Sequence, residues 1–210
     1  IFKFLNSAQK SAFLCGNIRK SVLKFLSPAR KSGWAVLELS SFQLEDLAPE
    51  KISPKIAVFT NIYRDHLNRH KTMADYIRAK SCIFKYQKKG DLFFVNPDDA
   101  VLRRIAKLAP SKVVLARLPG EYRRSVDEKL GRHYRSSAAL AIAVGRHLGV
   151  SEYGIRKVLK NFKGLEGRQE YLGKYGGIHF VNDTTATIPD ATIAALERFR
   201  KRAGRHKLIL

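Results

Sequence analysis

Glu38 closes the apolar run Trp34-Ala35-Val36-Leu37 and is followed by Leu39, Ser40, Ser41, Phe42, Gln43 and Leu44. Read as a core strand of a parallel sheet, this run buries a carboxylate and then presents hydrogen-bonding groups. An unpaired buried carboxylate costs several kcal/mol or is forced to protonate. A cation, a metal or a basic side chain is therefore expected at the strand's end. Two more polar pairs lie just beyond apolar runs, Asp65-His66 after 56–61 and Asn182-Asp183 after 178–181. Ligands of open α/β sheets gather at the carboxyl ends of the strands, which gives these positions first weight.

Lys80 is less conspicuous. Met73, Tyr76, Ile77, Lys80, Ile83 and Phe84 recur at three- and four-residue spacing, which places the lysine inside the apolar stripe of a helix over 73–86. Two chemistries are open to it there. The stem can cover the core while the ammonium reaches water. Alternatively, the amine is desolvated, its pKa falls, and it becomes a neutral nucleophile able to take up carbon dioxide. The resulting carbamate would replace a cation with a carboxylate-like metal ligand beside Glu38 and His66.

Alternating strand and helix patterns must position these groups. The expected strands are 12–15, 34–39, 56–61, 92–95 and 113–115, and the expected helices are 22–26, 73–86, 99–108, 136–148 and 152–161. This is an α/β fold with a largely parallel sheet flanked by helices. From Gly164 the texture changes to a linker, then a hairpin, 170–174 and 178–181, turning at Gly176-Gly177. A helix from Pro189 to about 202 and the first residues of a strand at 207–210 complete the pattern. Residues 1–5 read as the end of a helix, and the chain as a fragment. The domain division expected is 1–163 and 164–210.

The 210 residues carry 40 Lys and Arg against 18 Asp and Glu, a formal net charge of +22, with 45% hydrophobic residues. Disorder is excluded, and the field attracts polyanions, nucleotides or pyrophosphate-bearing substrates. Basic residues are dispersed and no nucleic-acid-reading motif occurs, so specific nucleic-acid recognition is not expected. No apolar run approaches the roughly 20 residues of a membrane span, and the opening Ile-Phe-Lys lacks the n-region and cleavage site of a signal peptide. A soluble, cytoplasmic monomer is the expectation. Cys15 and Cys82 sit in apolar surroundings without metal or redox spacing and read as reduced, buried thiols.

The segments ELSSFQL at 38–44, IAVFTNIYRDHLNRH at 56–70, Ala79-Lys80 and VNDTTATIPDAT at 181–192 together resemble the Mur ligases, in the form of the branch that adds D-glutamate to UDP-N-acetylmuramoyl-L-alanine. Cys15-Gly16-Asn17-Ile18 is similar to the family's Gly-Asn-Ile turn, and 164–170 to the linker that opens its third domain. The resemblance covers nearly the whole chain in order. It implies a P-loop-NTPase-like central domain followed by the start of a Rossmann-like C-terminal domain, and a role in peptidoglycan synthesis, hence in cell shape and division. It implies that ATP phosphorylates a carboxylate and an amino group attacks the acyl phosphate, with Mg2+ neutralising phosphate charge. By residue match, Glu38, His66 and carbamylated Lys80 would hold Mg2+. Asn17, Ser40 and Gln43 would meet the UDP-linked substrate, Arg168 and Asp183 the nucleotide, and Thr187 the incoming amino acid.

Departures accompany the matches. GxxxxGK[ST], whose backbone amides and lysine cradle phosphates, occurs nowhere in the 210 residues, so this stretch alone is expected not to turn over ATP. The family's adenine-side motif stands here as Gly131-Arg-His-Tyr134-Arg-Ser-Ser137, with both Asn positions changed. Tyr134 is available to stack on the base in their place, with Ser137 beside it. Asn68 replaces an Asp, Tyr63-Arg64 a Thr-Pro, Gly167 a His, and Thr184-Thr185 a Ser-Lys. Two alternatives stand beside this reading. One is another Mur-type or folylpolyglutamate-type ligase, and the other a non-catalytic basic module that binds polyanions.

Overall fold

Residues 1–18, 20–26, 33–203 and 207–209 are described by the computed structural model. The chain alternates strands and helices: α1 (Phe2–Ser7), β1 (Ala12–Gly16), β2 (Trp34–Glu38), α2 (Ser41–Leu47), β3 (Ile56–Phe59), α3 (Met73–Lys85), β4 (Leu92–Val95), α4 (Ala100–Ala106), β5 (Lys112–Leu115), α5 (Gly120–Lys129), α6 (Arg135–His147), α7 (Glu152–Asn161), β6 (Glu170–Tyr175), β7 (Ile178–Asn182) and α8 (Pro189–Ala203). Val22–Phe25 forms a 3-10 turn where a helix was expected. Residues 207–209 lie in no strand, and Leu210 falls outside the described residues.

The core is a parallel sheet of order β3-β4-β5. Its middle strand, Leu92-Phe93-Phe94-Val95, is apolar throughout because successive side chains enter opposite layers, both dry. Phe93 packs with Phe59, Tyr76, Phe84, Leu102 and Ile105 from β3, α3 and α4. Phe94 faces Ala116, Leu140 and Val144 on the other side, under α6. The helices start where local chemistry says they should. Thr72 Oγ1 accepts from Asp75 N at the head of α3, and Asp99 Oδ1 from Val101 N and Leu102 N at the head of α4.

β1 and β2 form a separate two-stranded parallel sheet, with Gly16 opposite Glu38. This corrects the expectation of a buried Glu38. Trp34 and Leu37 are each 41% exposed and Glu38 is exposed too. A parallel strand becomes dry only when paired on both edges and covered on both faces, and among the described residues β2 pairs with β1 alone. The backbones nevertheless approach closely. A Cβ at Gly16, where φ is +102°, would lie 2.2 Å from the Glu38 carbonyl oxygen. Gly16→Ala is expected to cost about 1–3 kcal/mol or to part the two strands, from strain at positive φ. Urea denaturation of the variant would measure it, and unchanged stability would show that the approach is relaxed in solution.

β6 and β7 form the expected antiparallel hairpin, turning through Gly176 and Gly177 at φ +55° and +83°, both positive as a type I′ turn requires. Two helices were not anticipated. In α2 the capping sequence Ser40-x-x-Gln43 was legible, but the helix is short. In α5 only Tyr122 and Val126 are buried, too thin a stripe among charged residues to announce a helix. Among the described residues, no helix is long and apolar enough to cross a membrane.

Candidate active site

α3 carries Lys80 into the space beyond the end of β3. Its ammonium lies 5.1 Å from the Tyr76 ring centroid and 5.9 Å from that of Phe59. Burial pushes the Lys80 pKa below its ordinary value, and the charge of Asp65 partly opposes that fall. The side chain as a whole is half-buried.

The loop after β3 brings Asp65 and His66 to the same place. Asp65 Oδ1 accepts from the His66 backbone N–H at 2.7 Å, and its Oδ2 lies 3.5 Å from His66 Nε2. His66 has φ +55°, a conformation that non-glycine residues seldom adopt. Its ring stands edge-on to Phe42 at 5.3 Å and to Tyr76 at 5.9 Å. Tyr76 is thus the floor shared by His66 and Lys80, and Asp65 is the carboxylate whose charge reaches both Tyr76 and Lys80.

Glu38 is not brought into this group. Its backbone carbonyl accepts from Asn17 N at 2.8 Å, so the exposed Asn17 and Glu38 are neighbours across β1 and β2. Among the described residues its carboxylate makes no ion pair or hydrogen bond, and no cluster of three or more His, Cys, Asp or Glu side chains could hold a metal. Ser40 and Gln43 are engaged with each other. Ser40 Oγ accepts from Gln43 N at 3.2 Å, and Gln43 Oε1 accepts from Ser40 N at 3.0 Å and lies 3.2 Å from Ser40 Oγ. Together they cap α2.

A second group forms around the linker. Asp183 Oδ1 accepts from Gln169 N at 3.0 Å, next to the exposed Arg168. His133 lies nearby, and burial, then the charges of Arg198 and Arg168, lower its pKa to about 4 despite Asp183. Its Nε2 is buried without a hydrogen-bond partner among the described residues. Tyr134 departs from the sequence reading. It is 8% exposed, packs edge-on to Phe162 at 6.1 Å and sits with Val126, Leu130 and Ala138, so its ring is part of the core. Ser137 and Thr187 are exposed.

Sequence reasoning passed over three members of this architecture. Tyr76 was read only as a core position of α3, although an aromatic one turn before a lysine is placed to receive it. Ser41 and His70 were not singled out, yet both are buried and touch, with His70 Nε2 2.9 Å from Ser41 Oγ. The His66-x-x-x-His70 spacing was the available signal.

The Mur ligase middle domain family matches residues 18–144. The chain is 34% identical over 220 residues to a UDP-N-acetylmuramoylalanine--D-glutamate ligase of Koribacter versatilis (strain Ellin345), covering 94% of this chain and 48% of the relative. It is 36% identical over 217 residues to the protein of that name from Roseiflexus sp. (strain RS-1), covering 89% and 47%. The chain therefore spans about half the length of the curated relatives it matches. Its fold is similar to that of MurF from Acinetobacter baumannii, with a TM-score of 0.70 at 20% identity over 94% of this chain and 51% of that one. For MurF from Thermotoga maritima in complex with ADP the values are 0.69, 19%, 94% and 52%. With the family match running from the turn after β1 through β3 and α3 into α6, the segment that holds Asp65, His66 and Lys80, the chain belongs to the Mur ligase family.

Proposed function

We propose that this chain is the catalytic middle part of an ATP-dependent ligase that joins D-glutamate to UDP-N-acetylmuramoyl-L-alanine in peptidoglycan synthesis, in the cytoplasm where such a nucleotide-linked substrate is made. The observation that carries the reading is the meeting of a desolvated Lys80 with His66 and Asp65 beyond the end of β3. The relatives' printed names support D-glutamate as the amino acid added. Residues 1–163 form the central domain in this reading, and 164–210 open the amino-acid-adding domain.

The chain's own groups divide the work. Magnesium prefers oxygen donors, and an amine, an imidazole and one carboxylate are a poor set for it until Lys80 becomes a carbamate. Carbamylated Lys80 and His66 would then hold the ion with Asp65 beside them, and Glu38, which the structure leaves outside this group, would have to be brought in from the end of β2 to join them. Bound there, Mg2+ would neutralise charge on transferring phosphate oxygens. Arg168 offers a planar fork for phosphate, and Asp183 an acceptor for ribose hydroxyls, although it already receives Gln169 N. Adenine would rest near Ser137 without stacking on Tyr134, whose ring is enclosed. Asn17 beside Glu38 would meet the UDP-linked substrate together with Ser40 and Gln43, and Thr187 would lie near the amino acid. The neutral amino group would then add to the carbonyl carbon of the acyl phosphate, and the adduct would form the amide by breaking the C–O bond to phosphate and losing the nitrogen's proton to solvent, with the site supplying the positioning of the two reactants.

The test is a chimera in which this chain replaces the matching half of the Koribacter versatilis relative, which supplies the remainder of the ligase. ATP-dependent amide formation from UDP-N-acetylmuramoyl-L-alanine and D-glutamate is expected. A folded chimera that forms no product, or that prefers another amino acid, would overturn the assignment.

A further inference from the structure

Ser41, His70 and Glu45 are arranged in series, with Ser41 Oγ 2.9 Å from His70 Nε2 and Glu45 Oε1 3.6 Å from His70 Nδ1. The order of groups is that of a nucleophilic triad, but burial decides otherwise. Ser41 is 2% and His70 3% exposed, so no substrate reaches the hydroxyl. A carboxylate only accepts, so Glu45, at 3.6 Å and without a direct hydrogen bond, favours the neutral tautomer that carries hydrogen on the ring nitrogen facing it. Nε2 then accepts from the Ser41 hydroxyl.

What this lock holds is the loop that carries His66. Arg69 N and His70 N both donate to the His66 carbonyl, each at 3.0 Å. Phe42, next to Ser41 on α2, stacks on the His70 ring at 5.5 Å and 11° and meets the His66 ring edge-on. Tyr76 on α3 touches both rings, His70 at 5.2 Å and His66 at 5.9 Å. His70 is therefore the wedge between α2 and α3, and His66 is the exposed end of the same structure, held at a left-handed φ that needs outside support.

We propose that His70, locked by Ser41 and Glu45, is a positioning residue that sets His66 against Phe42 and Tyr76, on the face it shares with Asp65 and Lys80. The role of His66 as a metal ligand rests on the function proposed above. The placement of its ring does not.

The experiment is NMR of the 210-residue chain with labelled histidines, for the wild type and for His70→Ala, His70→Gln and Ser41→Ala, using Mn2+ with bicarbonate as the probe. Without metal, the wild type is expected to show His70 in the Nδ1–H tautomer and cross-relaxation from the His66 ring to Phe42 and Tyr76. His70→Ala should lose those contacts while the resonances of Phe93 in the core stay in place. His70→Gln, which keeps a polar group within reach of Ser41, should restore part of them. Mn2+ broadening of His66 should need about 10–100-fold more metal in His70→Ala and Ser41→Ala, the range for partners that orient a ligand. If His70→Ala does not fold, the other two variants carry the comparison. Unchanged His66 contacts and Mn2+ response in a folded variant would overturn the proposal. Contacts that respond to His70→Ala, in a chain whose His66 is not broadened by Mn2+, would uphold the positioning role and sink the ligand role.

Discussion

Lys80→Ala, introduced into the chimera with the Koribacter versatilis relative, is expected to lower the rate of amide formation by about 10²–10³-fold, the range for removing a charge-stabilising group from a reacting centre. The expectation comes from where the amine sits. Its ammonium is half-buried against Tyr76 and Phe59, and desolvation lowers its pKa, so the neutral form is available at lower pH than on an exposed lysine. A neutral amine forms an N–C bond to carbon dioxide and releases a proton to solvent, and the product is an anion where a cation stood. Two further observations separate this from a packing defect. Acetate should restore part of the lost rate in Lys80→Ala by placing a carboxylate in the vacated space, and labelled bicarbonate should give a carbamate signal in the wild type that is missing from the variant. Lys80→Arg should be as inactive as the alanine variant, because guanidinium stays charged and takes up no carbon dioxide. Full activity of Lys80→Arg would show that the residue serves as a cation after all.

The largest effect on stability is expected from Phe93→Ala. Phe93 is 0% exposed in the middle strand of the three-stranded sheet, stacked on Phe84 at 4.4 Å and edge-on to Phe59 at 6.4 Å. Removing such a ring costs about 3–5 kcal/mol, through lost transfer energy and the cavity left behind. Domains of this kind hold roughly 5–15 kcal/mol in all, so the variant should sit near the edge of unfolding. Leu37→Ala is the matched comparison. Leu37 is equally an apolar strand residue by sequence, yet at 41% exposure its loss should cost well under 1 kcal/mol. Urea midpoints of the two variants would measure the contrast. A Leu37→Ala cost approaching that of Phe93→Ala would mean that β2 is covered in solution, and would restore the buried setting first inferred for Glu38.

These two residues also mark how far sequence patterns reached. Both belong to short apolar runs, and no local feature separates a strand dry on both faces from one that lies open. α3, α7 and the hairpin were legible almost to the residue because their signals are local: a Thr72 or Ser151 cap, a regular apolar stripe, two consecutive glycines. α5 was not, because only Tyr122 and Val126 face inward. At the site, Asp65-His66 and Lys80 were marked by their places after a strand and within a stripe. Tyr134 looked like a free aromatic because the Phe162 that encloses it lies on a different element.

By itself, the amino-acid sequence determined most of the order of the elements, the parallel α/β class, the family and the residue types available for chemistry, since these follow from periodicity, caps and motifs read over a few residues. Tertiary structure alone decided which of those residues meet. It desolvated Lys80 against Tyr76 and Phe59, left Glu38 in water, and joined Ser41 to His70 across a separation of 29 positions in the chain. The physical reason is common to all three. Burial and contact depend on what packs above and beside a segment, and that is set by distant parts of the chain.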